Sequence, residues 1–219
     1  MEQILGNSDI SDWIGSKNTS RGIVEIVTAE LINSTIGKKP NEDFKKGDPL
    51  PPLWHWFAFP SATHLSQLGD DGHPKHVGYT PPKDLTRRMW ASGSLTFHSD
   101  LRVGQEITKD TTVLDIKEKE SQSGKMVFIT YEHKLRNSSN IAITETQNIV
   151  YLQASQSFNP PKKRDVPQSD YPKDKIVISN PLLFRFSALT YNAHRIHYDL
   201  KYAQEVEKYP HLIVHGPLQ

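Results

Sequence analysis

Four segments between residues 88 and 153 alternate in the manner of β-strands, and they limit the possible folds more than any other feature of the chain. Each is rich in Val, Ile, Thr, Tyr and Phe, and the segments are 88–99, 106–121, 125–137 and 142–153. Turn-forming residues separate them, at Ser99-Asp100 with Gly104, at Ser123-Gly124 and at 137–140. Connections this short join antiparallel strands. The pattern therefore predicts a four-stranded antiparallel sheet.

A helix is predicted before this sheet, over residues 28–37. Thr28 is its expected N-cap and Gly37 its expected stop, since a hydroxyl side chain can cap a first turn and glycine commonly follows a helix. The face expected to turn inward holds Leu31, Ile32 and Thr35. Residues 23–27 are predicted to be a short extended piece. A helix on one face of an antiparallel sheet gives an α+β fold.

Aromatic residues and histidines are concentrated between the predicted helix and the sheet. Residues 53–59 (LWHWFAF) are the most aromatic run of the chain and are expected to form a core strand or helix. A loop rich in Gly, His and Pro follows at 68–84. The histidines of this region are His55, His64, His73 and His76. Their irregular spacing favours solvated loop histidines over a metal site.

A proline-rich stretch at 155–175 divides the chain. It holds four prolines and no apolar periodicity, which is the composition of a linker. The predicted organisation is a domain at 1–154, the linker at 155–175 and a further segment at 176–219. A basic triplet at 162–164 lies in the linker without aromatic or Gly-rich neighbours, so it is expected to be solvated and no nucleic-acid partner is predicted.

The segment at 176–219 is predicted to contain two helices. Asn180 and Pro181 form a typical N-cap and first helical residue for a helix ending near Leu189. Its expected inward residues are Leu182, Leu183, Phe186 and Leu189. A second, shorter helix is predicted over 200–208.

The composition excludes several classes of function. The 219 residues include no cysteine, which removes disulfide scaffolds, thiolate metal sites, Fe–S clusters and cysteine nucleophiles. Lys and Arg number 26 against 25 Asp and Glu, so no overall field favours nucleic acid or an anionic membrane. Neither a Gly-x-Ser-x-Gly elbow nor a Gly-rich phosphate loop occurs in the sequence.

Membrane spans and targeting signals are also not predicted. No stretch approaches the roughly 20 apolar residues of a membrane span. The first residues lack the basic and apolar regions of a secretory signal. Acidic residues precede the first arginine, Arg21, whereas a mitochondrial transit peptide is rich in Arg and poor in acids.

Polar groups suited to proton chemistry gather near the end of the chain. His194, His197 and His215 lie close to Asn192 and Asp199. An imidazole can take and return a proton near neutral pH because its ordinary pKa is about 6.5. Spacing alone leaves two interpretations open: a proton-transfer site, or histidines that serve the structure.

A metal site is the weaker alternative for this cluster. His194, His197 and Asp199 could supply three ligands. The segment carries no motif of a known metal helix and specifies no fourth ligand. We therefore predict no metal here.

Two C-terminal segments resemble a catalytic signature. Residues 186–199 (FSALTYNAHRIHYD) and 209–218 (YPHLIVHGPL) resemble the hydratase signature of the MaoC-like hot-dog superfamily. They are most similar to the mitochondrial hydroxyacyl-thioester dehydratase type 2 family of fungi, with bacterial mesaconyl-CoA hydratases as near relatives. Residues 49–56 (PLPPLWHW) and 87–93 (RRMWASG) resemble the N-terminal half of that family. The resemblance covers nearly the whole chain.

This resemblance implies a double hot-dog fold, in which each half wraps a sheet around a helix. It implies reversible dehydration of (3R)-3-hydroxyacyl thioesters to trans-2-enoyl thioesters, in mitochondrial type II fatty acid synthesis. The substrate would be carried on acyl carrier protein or CoA, with no metal or organic cofactor, and the protein could be a homodimer. The aromatic run at 53–59 could line an acyl tunnel. A non-catalytic hot-dog subunit that binds acyl thioesters or serves assembly is the alternative.

The resemblance also implies roles for individual residues. The Asp and His of the wider signature correspond to Asn192 and His197, which are the expected catalytic pair. His197 would exchange the C2 proton, whereas the amide of Asn192 cannot ionise and would orient water or the leaving hydroxyl. Gly216 matches the glycine whose backbone N–H would stabilise the enolate oxygen. His194, which replaces an Asn of the signature, is expected at the substrate with Asp199 and His215.

The length raises a further expectation. In the resembled fold, a central helix and further strands follow the position of Leu218, so residues 176–219 are expected to be the start of an incomplete second hot dog. A piece of this size is close to the limit of about 40 residues below which a chain rarely folds alone. Activity would then be impaired. The alternative is that the segment packs on the first hot dog.

Overall fold

The structure is a computed structural model that describes residues 10–37, 39–40, 42–75, 84–121, 124–138, 140–154, 157–158, 160, 165 and 176–219. Its strands are β1 (Lys17–Gly22), β2 (Arg87–Phe97), β3 (Ile107–Ser121), β4 (Gly124–Asn137) and β5 (Asn140–Leu152). Its α-helices are α1 (Ile26–Ile36), α2 (Asn180–Thr190) and α3 (Leu200–Glu205). Short 3-10 helices occur at Ile10–Trp13, Trp54–Ala58, Leu65–Gln67, Arg195–His197 and Gly216–Leu218. None of the described helices is long and apolar enough to cross a membrane.

The strands form one antiparallel sheet in the order β1-β3-β4-β5-β2. The four predicted strands are confirmed as β2 to β5. The fifth strand, β1, was not predicted, because its sequence KNTSRG is polar and shows no alternation. It lies at the edge of the sheet, where mostly exposed side chains are tolerated. The extended piece predicted at 23–27 is wrong in part, because Ile26 and Val27 already belong to α1.

One face of the sheet carries the core. The pairs Leu135 with Ile143 and Ile129 with Ile149 lie opposite each other on β4 and β5, and all four side chains are buried. Between these two apolar layers, His133 lies opposite Glu145. The inner face therefore has apolar ends and a polar middle.

Helix α1 covers one end of this face. Its Ala29 and Ile32 are buried in a cluster with Val103, Ile107 and Leu135. The predicted helix is confirmed, but Glu25 occupies the N-cap position and Thr28 lies inside the helix. The predicted inward face is wrong at Leu31, which is exposed, because the earlier start and the packing turn Ala29, Ile32 and Asn33 inward. Gly37 does end the helix, as predicted.

The aromatic run folds as the 3-10 helix Trp54–Ala58, and it belongs to the core. His55 is only 2% exposed, so its prediction as a solvated histidine is wrong. Its Nε2 lies 3.4 Å from Oε2 of the buried Glu145. The same carboxylate accepts hydrogen bonds from Trp56 Nε1 at 3.0 Å and Gln147 Nε2 at 2.7 Å. This network fills the polar middle of the inner face.

The C-terminal segment packs on the rest of the chain through α2. Phe186 is buried in the same cluster as α1, and its ring centroid lies 5.5 Å from that of Phe57. Arg185 Nη1 donates to the carbonyl of Ser34 at 3.3 Å. Both helices of this segment are confirmed, although α3 ends at Glu205, before the predicted residue 208. The N-cap of α2 is Ser179, one residue before the prediction.

The domain boundaries predicted from composition stay a prediction. Most of the linker at 155–175, including the basic triplet at 162–164, lies outside the described residues, as does His76. The packing of α2 on α1 is the arrangement expected if the segment at 176–219 docks on the first hot dog.

Candidate active site

Four imidazole rings form a row at the junction of the C-terminal segment with the loop at 69–75. Neighbouring ring centroids are 4.1 Å apart for His73 and His194, 5.4 Å for His194 and His197, and 3.7 Å for His197 and His215. Three of these histidines were predicted to lie together. His73 was predicted to be a solvated loop residue, and that prediction is wrong, because the loop folds back against residues 193–195.

His197 is held as a neutral base. The ring lies in the short helix Arg195–His197 and is 6% exposed. Its Nδ1 lies 2.7 Å from the carbonyl oxygen of Ile213. A carbonyl can only accept, so Nδ1 carries the proton and Nε2 carries the free lone pair. Burial lowers the pKa of His197 below 6.5, and the bond to Ile213 offsets this only in part.

His215 stacks on His197 and is 1% exposed. Its Nε2 makes a hydrogen bond of 2.8 Å with Oγ of Ser187. Its Nδ1 has no partner among the described residues. Burial, and next the repulsion that a proton on the adjacent His197 would cause, lower the pKa of His215 to about 3. His215 is therefore a neutral packing partner for His197.

Asn192 and His194 occupy the turn that follows α2. The C-cap of the helix is Tyr191, whose φ of 52° is left-handed. The side-chain oxygen of Asn192 then accepts from the backbone N–H of His194 at 3.0 Å. This bond leaves the two N–H groups of the Asn192 amide to serve another acceptor. Burial, then the charges of His73 and His197, lower the pKa of His194 to about 3.

Asp199 serves the local structure. Its Oδ1 accepts from the backbone N–H of Tyr202 at 3.0 Å, which caps α3. Its Oδ2 accepts from the guanidinium of Arg195 at 2.8 and 3.1 Å. Both carboxylate oxygens are engaged within the segment. Among the described residues, the three ligands considered for a metal, His194, His197 and Asp199, do not form a group of donor atoms close enough to hold one ion.

Gly216 begins a three-residue 3-10 helix. Its backbone N–H lies in a first turn, where helical N–H groups have no acceptor within the helix. A Cβ added at this glycine would lie 3.5 Å from Cβ of Trp90 on β2. The predicted oxyanion donor is therefore close to the sheet and next to the stacked His215.

A cavity of about 1030 Å³ lies beside the histidine row. Its walls come from the loop at 69–75, the start of β2, and the end of α2 with the following turn. Of the predicted site residues, only Asn192 is among those that line it in the described part of the chain. From the aromatic run at 53–59, Phe59 lines the cavity, while Trp54 and Phe57 are core residues. The volume suits a small-molecule site, for which several hundred Å³ is typical.

Asp71 and His73 are the functional candidates that sequence reasoning missed. Oδ2 of Asp71 lies 2.8 Å from Nδ1 of His73, and Oδ1 accepts from the His73 backbone N–H at 2.9 Å. Both residues line the cavity. Donor atoms of Asp71, His73 and His194 all lie within 4.8 Å of one another, which is the one group in the described chain able to hold a metal ion. The available sequence signal was the turn Asp-Gly-His at 71–73. This turn is far from His194 along the chain, so the sequence did not indicate that they are in contact.

Comparison with known proteins identifies relatives of the chain. The model of the family described as hydroxyacyl-thioester dehydratase type 2 matches residues 53–219. A mesaconyl-C(4)-CoA hydratase of Chloroflexus aurantiacus is 39% identical over 216 residues, covering 98% of this chain and 76% of that protein. The mitochondrial hydroxyacyl-thioester dehydratase type 2 of Schizosaccharomyces pombe is 29% identical over 195 residues, covering 77% of this chain and 64% of that protein.

The fold has a counterpart among solved structures. A conserved Mycobacterium tuberculosis protein with a double hot-dog fold superposes with a TM-score of 0.53 at 14% identity, covering 94% of this chain and 71% of that one. The predicted α+β hot-dog fold is thereby confirmed, with its antiparallel sheet packed on helix α1. Sequence and structure agree: the named relatives are hydratases and dehydratases, which are hydro-lyases, and the chain belongs to the hydroxyacyl-thioester dehydratase type 2 family.

Proposed function

We propose that this chain catalyses the reversible removal of water from (3R)-3-hydroxyacyl thioesters, giving trans-2-enoyl thioesters. The observation that carries the proposal is the state of His197, a neutral imidazole whose Nδ1 is tied to Ile213 and whose Nε2 keeps its lone pair. The acidity of the C2 proton comes from the adjacent thioester, so the chemistry needs a base and an oxyanion donor.

The residues divide the work as follows. His197 Nε2 removes the C2 proton, and the backbone N–H of Gly216 stabilises the enolate oxygen that develops on the thioester. The free amide N–H groups of Asn192 hold the oxygen on C3. Asn192 lines the cavity, and in this proposal the reacting carbons lie between Asn192 and His197.

The carrier and the pathway belong to the proposal as well. The fungal relatives are named mitochondrial hydroxyacyl-thioester dehydratases, which supports a mitochondrial role. Acyl carrier protein as carrier and fatty acid synthesis as pathway are what the family resemblance implies. The bacterial relative is named a hydratase of a CoA ester, which supports CoA as carrier. Side-by-side turnover of the same acyl group on the two carriers distinguishes them.

A non-catalytic acyl-thioester-binding subunit is the competing function, and the 6% exposure of His197 favours it. An assay of crotonyl-CoA hydration, monitored through the loss of enoyl absorbance, distinguishes the dehydratase from the binding subunit. The dehydratase requires turnover that falls about 10²- to 10⁴-fold in His197→Ala, the usual contribution of a general base. The control is His98→Ala, since His98 is exposed and follows the end of β2. Turnover that survives His197→Ala would refute the base assignment, and binding without any turnover would establish the competing function.

A further inference from the structure

The loop at 69–75 brings a carboxylate and an imidazole to the cavity from outside the C-terminal signature. His73 lines the cavity and lies against His194, with ring centroids 4.1 Å apart. Asp71 contacts His73 twice, at its backbone N–H and at Nδ1. The two residues thus form an oriented pair at the wall that Asn192 shares.

Backbone contacts hold this loop in place without these two side chains. The N–H of Arg195 donates to the carbonyl of Asp71 at 2.9 Å, and Arg195 Nη1 donates to the carbonyl of Asp70 at 3.0 Å. Gly72, with φ of 90°, approaches the carbonyl of Ala193 so closely that no Cβ fits. None of these three contacts involves the Asp71 carboxylate or the His73 imidazole, and both residues line the cavity.

The pair is arranged for proton transfer. A carboxylate only accepts, so Nδ1 of His73 carries a proton and Nε2 carries the lone pair. Burial alone would raise the pKa of Asp71, but its hydrogen bonds from His73 hold that pKa below 3.8. An ionised Asp71 stabilises the imidazolium that forms when Nε2 takes a proton.

The proposed reaction requires a proton donor for the oxygen on C3. As water departs, the oxygen on C3 must receive a proton, and Asn192 has none to give because an amide does not ionise in this range. The loop at 69–75 supplies an acid–base pair nearby.

We propose that His73, oriented by Asp71, is a second catalytic acid–base of the site; this rests on the proposed dehydratase function. His197 takes the C2 proton, the C3–O bond breaks, and Nε2–H of protonated His73 delivers its proton to the departing hydroxyl as water. Solvent then returns the proton of His197 to His73. In the hydration direction, His73 accepts a proton from the attacking water. Asp71 is a positioning residue, because it acts through His73.

The experiment measures crotonyl-CoA hydration by the whole chain and its variants. For His73→Ala we expect kcat to fall about 10²- to 10⁴-fold and added imidazole to restore part of it. For Asp71→Asn we expect a lower kcat with KM retained, because in this proposal Asp71 acts through His73 and does not bind the substrate. The matched control is His64→Ala, an exposed histidine near the same loop, with kcat unchanged.

Each other outcome is decisive. The inference would be overturned if His73→Gln had the kcat of the wild type, or if imidazole did not restore the activity lost in His73→Ala. The dehydratase function would still stand in either case, because the wild-type protein turns over the substrate. No turnover by the wild type would refute the function itself. Loss of activity in chelator with recovery on zinc would assign Asp71, His73 and His194 to a metal and overturn the acid–base role.

Discussion

The imidazoles of His197 and His215 lie nearly parallel, with ring centroids 3.7 Å apart and planes inclined by 19°. Both rings are buried, so a proton added to either would place a cation in a poorly solvated region against its neighbour. The stack therefore favours two neutral rings. This keeps His197 available as a base, and it makes the folded state sensitive to acid.

The free energy of unfolding should fall on acidification below pH 6.5. Burial lowers the pKa of folded His215 to about 3, so the unfolded chain, with an ordinary histidine, binds more protons between about pH 3 and 6.5. Stability is unaffected above this window and declines within it by about 1.4 kcal/mol per pH unit for each such proton. Urea unfolding from pH 7 to 5 measures the slope. His215→Gln should reduce this slope by the contribution of about one proton. An unchanged slope would contradict the lowered pKa of His215.

Replacement of Asn192 by Asp should lower catalytic activity without lowering the stability of the fold. The carboxylate can still accept from the backbone N–H of His194, so the free energy of unfolding should change by less than about 0.5 kcal/mol. The side chain loses its N–H donors, and kcat/KM should fall about tenfold, the value of one hydrogen bond of roughly 1.4 kcal/mol. Steady-state kinetics and urea unfolding test both. A rise in kcat/KM would show that position 192 contributes proton transfer.

Gly72→Ala should undock the loop at 69–75. The added Cβ would overlap the carbonyl of Ala193, and φ of 90° disfavours any side chain. We expect a loss of about 1–3 kcal/mol and faster hydrogen exchange in the loop. Gly47→Ala is the matched control, because Gly47 has φ of 92° and nothing within 4 Å of the added Cβ. Equal losses in the two variants would mean that the contact with Ala193 contributes nothing.

Glu145→Ala should be strongly destabilising. Glu145 is 2% exposed and accepts from Trp56 and Gln147, with His55 beside it. Burial alone would raise the pKa of Glu145, but the bonds from His55 and Gln147 hold it below 4.5. Removal of one member of a buried charged network costs about 3–5 kcal/mol. Chemical denaturation measures the loss, with Glu118→Ala on the exposed part of β3 as control. A loss similar to that of the control would show that water replaces the carboxylate.

The same network shows why local patterns did not reveal every core residue. His55 and Glu145 are 90 positions apart, and both residue types are usually exposed. Their burial follows from the closure of the Trp54–Ala58 helix over the polar middle of the sheet. Nothing in the residues adjacent to either one indicates that contact.

The candidate site was predictable to the extent that it is local. Asn192, His194 and His197 lie in one turn and one short helix, and their signature is readable in the chain. Asp199 lies in that same signature, yet the structure shows that its carboxylate caps α3 and binds Arg195. The sequence identified Asp199 as part of the signature, whereas only the folded structure showed which groups its carboxylate contacts.

By itself, the sequence determined the antiparallel sheet, because alternation and turn residues act over neighbouring positions and set the strand and its faces locally. It also determined that α2 would turn Leu183 and Phe186 inward. Only the tertiary structure decided that Asp71 and His73 would meet His194. That contact depends on two loops distant in sequence being brought together by the docking of Gly72 and Arg195, and the free energy of such packing is not encoded in any local pattern.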